Sequence, residues 1–345
     1  MIKQLAALTV LLITTQSCVT KAVSNKEVFV NKADEALIAF GSCNMQNRIN
    51  PLWDDVLNVK PAVWIWGGDN IYSDTDDMNR LKADYQQQLN QKGYAELVQN
   101  VPIMGTWDDH DYGLNDGGIE FHAKQGSQQL FLDFIGVPQE DVRRKQEGVY
   151  HAETLQFKKG SVKIIVLDTR YFRTELTPSE VKGKRFQPNT YGQGSMLGDA
   201  QWKWLELELK KSKADFNLIV SSVQILSAEH GFETWGNMPH EVDKLKALIV
   251  DSKAKGVILL SGDRHISEFS KTTVSGLEYP LIDFTSSGLT HTYESYSGES
   301  NRYRVGEVIN SKSFGVLRFD FKDRLVHMEM IGDGGLVLQE FKQTY

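Results

Sequence analysis

Four short polar clusters carry the side chains able to do chemistry: Ser42-Cys43-Asn44, Gly68-Asp69-Asn70, Trp107-Asp108-Asp109-His110 and Gly262-Asp263-Arg264-His265. Between them they offer a thiol, carboxylates, amides and imidazoles, the donor types that hold metal ions. A lone Asp or His is commonly a cap or a satisfied polar residue. Four clusters, each closing an apolar run, are hard to ascribe to capping. In Gly68-Asp69-Asn70-Ile71-Tyr72 a carboxylate and a phenol stand three residues apart. A phenol of ordinary pKa about 10 serves as a ligand only to a strongly acidic cation such as Fe(III); otherwise Tyr72 simply packs against its sheet. A cation would also stabilise Cys43 as thiolate. Consecutive side chains diverge, so one of Asp108 and Asp109 is expected at a given hard ion, and which one stays open. His110 stands ready beside them for proton transfer. Asp263 and His265 occupy alternate positions and face the same side if the chain there is extended.

These clusters need elements to position them. "ALIAFGSC", "AVWIWGGD", "VPIMGTWDD", "VKIIVLDTR", "FNLIVSSVQ", "GVILLSGDRH" and "PLIDFTSSG" read as buried strands closing in Gly or polar residues. Helical spacing appears between them. Trp202, Leu205 and Leu209 repeat at one face with Asp199 as the expected N-cap, and Val242, Leu245 and Ile249 repeat in the next segment. "SFGVLRFDF", "LVHMEMIG" and "LVLQEFK" read as a C-terminal meander. Alternating strands and helices predict an α/β fold, whose binding sites lie outside the carboxyl ends of the strands. Residues 35–345 are read as a single domain.

The chain has 345 residues, 41% hydrophobic and 24% charged, with a net charge of -7. That balance is ordinary for a globular protein and lacks the basic surplus of a nucleic-acid binder, so no nucleic-acid surface is expected. An acidic surface does not exclude an anionic substrate, because local charge, including a metal ion, overrides the global balance. Lys3, the run "LAALTVLLITT" and "TQSC" read as an export signal over residues 1–17, with 18–34 a polar leader. The signal resembles that of a bacterial lipoprotein, which makes Cys18 the lipidated first residue of the mature chain and anchors it to the cell envelope, periplasmic or at the outer membrane. An ordinary secretory signal cleaved nearby is the alternative. With Cys18 acylated or removed, Cys43 has no partner for an intrachain disulfide, and an unpaired thiol in an oxidising compartment must be buried or coordinated.

The motifs "FGSCN", "GGDNIYSD", "TWDDHDYG", "LDTRYFR", "LGDAQWKWL", "VSSVQ" and "LSGDRH" stand in the order seen in the alkaline phosphatase D (PhoD-like) family of metallophosphoesterases, which the chain resembles from about Phe40 to Gly288. The resemblance implies a four-layer α/β/β/α sandwich of two mixed sheets and a site built on Fe(III) and Ca(II), with Zn or Mn as substitutes. It maps the ligands onto Cys43, Asp69 and Tyr72, then Asp108 or Asp109, and Asp263 with His265. The Tyr-Glu pair frequent in the family's second motif is Tyr72-Ser73 here, so any role of that Glu is absent or moved to Asp74. Family members often carry a sizeable N-terminal β-domain; here about twenty residues lie between Cys18 and the first expected core strand, so a compact version is expected.

The expected activity is metal-dependent hydrolysis of phosphoric esters, with His110 protonating the leaving alcohol and Arg170 forking onto phosphate oxygens. Trp235, Arg264 and His291 are candidates to contact or shape the substrate; Trp235 equally fits a packed loop, and Arg173 and Arg264 fit structural ion pairs. His122, His151, His230, His240 and His327 read as structural or surface residues. Two alternatives are carried: a phosphodiesterase acting on lipid or polymer diesters, and a surface lipoprotein that binds ligand without turnover. A nucleophile elbow, a Walker loop and a dinucleotide-binding turn are absent, and "HEVDK" has Lys244 where a zinc protease needs His.

Overall fold

The computed structural model describes residues 29–30 and 36–345. The signal-like run, most of the leader and Cys18 lie outside the described residues. The first elements are β1 (Phe29–Val30), β2 (Ala36–Gly41), α1 (Leu52–Val59), β3 (Trp64–Gly67), α2 (Met78–Leu89), α3 (Lys92–Asn100) and β4 (Ile103–Thr106). Then come α4 (Asp109–Tyr112), α5 (Lys124–Phe134), β5 (His151–Phe157), β6 (Gly160–Val166), the small strands β7 (Thr177–Pro178) and β8 (Phe186–Gln187), and α6 (Gly198–Lys211). The rest are β9 (Phe216–Val220), α7 (Pro239–Ser252), β10 (Val257–Ser261), β11 (Ser267–Thr272), β12 (Leu281–Ser286), β13 (Arg304–Ile309), β14 (Ser313–Asp320), β15 (Leu325–Gly332) and β16 (Val337–Thr344).

Two large mixed sheets result. One has the order β1-β5-β6-β9-β10-β12-β11-β13, the other β16-β15-β14-β2-β3-β4. In the first, β6, β9, β10 and β12 are mutually parallel neighbours; in the second, β2, β3 and β4 are parallel and the C-terminal meander pairs antiparallel onto β2. Apolar residues on both faces of each strand explain the layers, because successive side chains point to opposite faces. Ile38 and Phe40 of β2 meet Leu218, Val220, Ile258 and Leu260 in the core between the sheets. Leu37 and Ala39 face the other way, into a core under α1, α2, α3 and α5 with Trp53, Leu81, Tyr94 and Phe131. Ile219, Val257 and Leu259 face α6 and α7, meeting Trp202, Leu205, Leu209, Leu245 and Ile249. The order of layers is therefore α/β/β/α, as expected.

One local expectation is corrected. Helix α6 begins at Gly198 with Leu197 as its N-cap residue, so Asp199 lies inside the first turn. There its negative charge favours the helix N-terminus without capping it.

Candidate metal centre

The two sheets bring the carboxyl ends of β2, β3 and β4 opposite those of β6, β9, β10 and β12. Cys43 follows β2, Asp69 and Tyr72 follow β3, Asp108 to His110 bridge β4 and α4, and Asp263 and His265 follow β10. Backbone hydrogen bonds tie the loops together. Asn44 N–H donates to the Asp69 carbonyl at 2.8 Å, Thr290 N–H to the Cys43 carbonyl at 3.3 Å, and Gly262 N–H to the Ser222 carbonyl at 3.0 Å.

These side chains converge by an unfavourable backbone route. Cys43, Asp69, Asp263 and His265 all have positive φ, at 62°, 50°, 70° and 55°. The left-handed region costs a non-glycine residue about 1 kcal/mol or more. The extended chain expected at Asp263–His265 is therefore corrected: a left-handed turn, not strand alternation, sets both residues at the site. Gly68, at φ 100°, is required for a second reason, since a Cβ there would sit 2.6 Å from Asp108 Cβ and 2.9 Å from Ser222 Cβ.

Two donor groups share one residue. Ligand atoms of Cys43, Asp69 and His265 lie within 4.8 Å of one another, as do those of Asp69, Asp108, Asp109 and Asp263. Asp109 therefore does not diverge from Asp108 as expected; helix α4 begins at Asp109, and the turn brings both carboxylates to one group. The Cys43 thiol donates to Asp69 Oδ2 at 3.4 Å and lies 3.0 Å from Ser287 Oγ. The Tyr72 hydroxyl donates to the same Asp69 oxygen at 3.0 Å and lies 3.0 Å from His265 Nε2. Tyr72 thus points into the site rather than against its sheet. A third group, Asp69, Asp109 and His110, overlaps both. His110 Nδ1 sits 2.8 Å from Asp74, whose carboxylate holds the ring against Tyr72 at a centroid distance of 4.2 Å.

The electrostatics are those of a site short of positive charge. Burial pushes the Cys43 thiol up to about 11, against hydrogen bonds from Ser287 and Ser42. Burial, then the Cys43 charge, holds Asp69 well above the usual carboxylate range; burial does the same to Asp108 despite Arg170. Asp263 is raised to about 7 by burial, against Arg264. Burial also acts upward on Asp109, but Arg170, His110 and the Asp116 N–H outweigh it and leave Asp109 low. His110 is drawn up to about 10 as Asp69 and Asp74 overcome its burial, whereas burial lowers His265 to about 4. Asp69 Oδ1 and Asp108 Oδ2 are buried without a hydrogen-bond partner. Lone pairs in that state cost free energy unless a proton or cation takes them up. The donor set therefore fits metal ions: sulfur, phenol and imidazole gather on one side of Asp69, and a group of four carboxylates on the other, with His110 beside it.

Other expected substrate contacts are corrected. Arg170 is fully buried, with its guanidinium engaged by Asp108 and Glu233, so it does not reach the cleft to fork onto a substrate. Trp235 is fully buried as well, donating to Ser221 Oγ at 3.0 Å and packing edge-on against Trp202. It shapes the core under the site, not its rim. Arg264 flanks the cleft but is held bidentately by Glu299 at 2.8 and 2.9 Å and stacked on Phe232. His291 stands against His265, with ring centroids 4.4 Å apart. The cleft, about 320 Å³, is walled by Asp109, His110, Asp116, Phe232, Asp263 and Tyr293 among others. Sequence reasoning gave no role to Ser222 or Ser287. Their signal is a pair of serines closing each of two apolar runs, "VSS" and "FTSS", the first of them inside the motif "VSSVQ".

A model of the PhoD-like phosphatase family matches residues 38–324. Among solved structures, one of PhoD is similar at TM-score 0.68 and 14% identity, covering 92% of this chain and 70% of that one. GAP50, the anchor in the inner membrane complex of Plasmodium, is similar at TM-score 0.59 and 13% identity, with 90% and 89% covered. A dimetal phosphatase from Danio rerio follows at TM-score 0.54 and 15% identity, with 91% and 100% covered. At these identities the structures speak for the fold alone. No curated protein matches the chain.

Proposed function

The chain belongs to the PhoD-like phosphatase family and is a metal-dependent phosphoesterase, and from that premise we propose which residues do the work, with which ions and where. Cys43, Asp69, Tyr72 and His265 would hold one cation, Asp69, Asp108, Asp109 and Asp263 a second. The observation that carries this reading is Asp69: it belongs to both donor groups and keeps one buried oxygen unpartnered. A thiolate and a phenolate on one side favour Fe(III); oxygens alone on the other favour a hard cation such as Ca(II). When bound, such ions supply positive charge for the phosphoryl oxygens and acidify a water for attack.

The chain's own residues supply the remainder. His110, oriented by Asp74 through Nδ1, lines the cleft, and its other ring nitrogen would protonate the departing alkoxide. Phe232 and Tyr293 flank the space where the alcohol portion of the ester would lie. With Arg170 buried, Arg185 and Arg264 are the guanidinium groups at the cleft wall, and Asp116 or Glu299 respectively would have to release them for a direct phosphate contact. Whether monoesters or diesters are preferred follows from how much room that wall leaves.

Export is part of the proposal: signal cleavage before Cys18 and lipidation there would tether the enzyme to the cell envelope. Labelling with a radioactive fatty acid, lost in Cys18→Ser, tests the anchor. The site is tested by elemental analysis of a chain beginning after Cys18, purified without chelators and assayed on p-nitrophenyl phosphate and bis-(p-nitrophenyl) phosphate. Iron near one per chain, calcium, and turnover that chelation abolishes are expected. Absence of stoichiometric metal even after adding iron and calcium overturns the reading.

A further inference from the structure

A row of buried charges runs back from the carboxylate side of the site. Asp108, Arg170, Glu233 and Arg173 alternate in sign, and each is no more than 2% exposed. Arg170 Nη1 lies 2.6 Å from Glu233 Oε2, and Arg173 Nε lies 3.0 Å from Glu233 Oε1. The unusual feature is at Asp108. An Arg–carboxylate pair commonly forks, one nitrogen to each oxygen. Here Nε of Arg170 donates to Asp108 Oδ1, Nη2 stands against the same oxygen as an ion-pair contact without hydrogen-bond geometry, and Ser222 Oγ donates to that oxygen at 2.7 Å. Oδ2 receives nothing and is buried. Two donors and the guanidinium charge on one oxygen fix the plane of the carboxylate and leave the lone pairs of the other for the cluster with Asp69, Asp109 and Asp263.

Resting on the function proposed above, we propose that Arg170 is a positioning residue: it holds Asp108 so that Oδ2 faces the second cation. Glu233 has a distinct part in this. An uncompensated guanidinium behind Asp108 would repel that cation, and Glu233, itself held by Arg173, cancels the charge while leaving the hydrogen-bond geometry in place. Ligand-orienting partners of this kind typically contribute 10- to 100-fold in metal affinity.

The test is equilibrium binding of Mn(II) to the full chain after chelation, read from the free-ion paramagnetic signal, with thermal melting to confirm folding. Arg170→Lys keeps the charge but loses the Nε donor to Oδ1 and the planar guanidinium behind it, and should weaken the oxygen-ligated position about 10- to 100-fold. Asp108→Asn sets the benchmark. If Arg170 acts through Asp108, the double variant binds Mn(II) no more weakly than Asp108→Asn alone, whereas a general structural defect adds to it. Parental affinity in folded Arg170→Lys, or additivity in the double variant, overturns the proposal. Where Arg170→Lys does not accumulate, Glu233→Gln reads the same linkage: affinity should fall, and an unchanged value is a refutation. A parental chain that binds no Mn(II), iron or calcium overturns the proposed function itself, a result distinct from parental binding with an indifferent Arg170.

Discussion

Strands β14 and β15 pair residue for residue, from Ser313 opposite Gly332 to Asp320 opposite Leu325, and among the described residues no buried side-chain polar atom in 313–344 lacks a partner. At the carboxyl ends of β2, β3 and β10 the same chain puts four non-glycine residues at positive φ and leaves buried carboxylate oxygens of Asp69 and Asp108 without partners. In the meander strands local rules and global fold agree, positive φ outside glycine being confined to Arg324 in the β14–β15 turn, whereas at the site they conflict. The conflict is tolerable because the regular layers over-determine the loops: the Cys43, Asp69, Asp263 and Ser287 segments each extend a fully buried strand. Unmet electrostatic demand at one end of the strands is thus supported by packing along them.

Four measurements break or sharpen that contrast. Asp69→Asn goes furthest, because Asn tolerates the left-handed conformation while removing the shared carboxylate. Turnover should fall by about 10³-fold or more. In chelator the variant should melt higher than the equally metal-free parent, since a crowded carboxylate is gone. A lower melting temperature would mean that the site is not where stability is given up. In the meander the signs reverse. Met328→Ala, in a fully buried position of β15, should cost about 2–5 kcal/mol in denaturant unfolding while turnover per folded molecule stays the same. Within the site, Cys43→Ser should lower retention of the transition metal about tenfold or more on elemental analysis, yet leave the oxygen-only group able to bind calcium.

The smallest effect lies away from the metals. Burial lowers His151 from 6.5 to about 4 in the folded chain. A folded pKa below the unfolded one means the folded state resists protonation. Its stabilising contribution is therefore complete above about pH 6.5 and drains away as pH falls towards 4. His151→Asn keeps a donor for the Val149 carbonyl and should remove about 1 kcal/mol of the stability difference between pH 7 and pH 5.5. An unaltered pH slope in urea unfolding would show that His151 is not the group responsible.

Much of the architecture was legible in the residue order. The strands that end at Gly41, Gly67, Thr106, Val220, Ser261 and Ser286 lie inside the apolar runs read as strands, and the polar residues closing those runs include the carboxylates, thiol and imidazoles of the site. Strands such as β5 and β13 were not legible, because their half-exposed patterns, mixed with Glu, Thr and Arg, take definition only from the neighbours they pair with. Arg170 shows the same limit in the site. "LDTR" announces a guanidinium after a strand, but its direction depends on Asp108 and Glu233, each more than sixty residues away along the chain. The convergence of Asp108 with Asp109 and the left-handed turn at Asp263–His265 were likewise invisible to a period-of-two argument, which holds only while the chain stays extended. The sequence by itself determined which residues are buried in strands and which donor types follow them, since alternation and apolar runs are local properties. Only the tertiary structure decided which oxygen of Asp108 is free, which arginine is occupied and which residue is shared between two donor groups. Those depend on partners brought together from both sheets, where burial makes each unpaired charge costly enough to choose its neighbour.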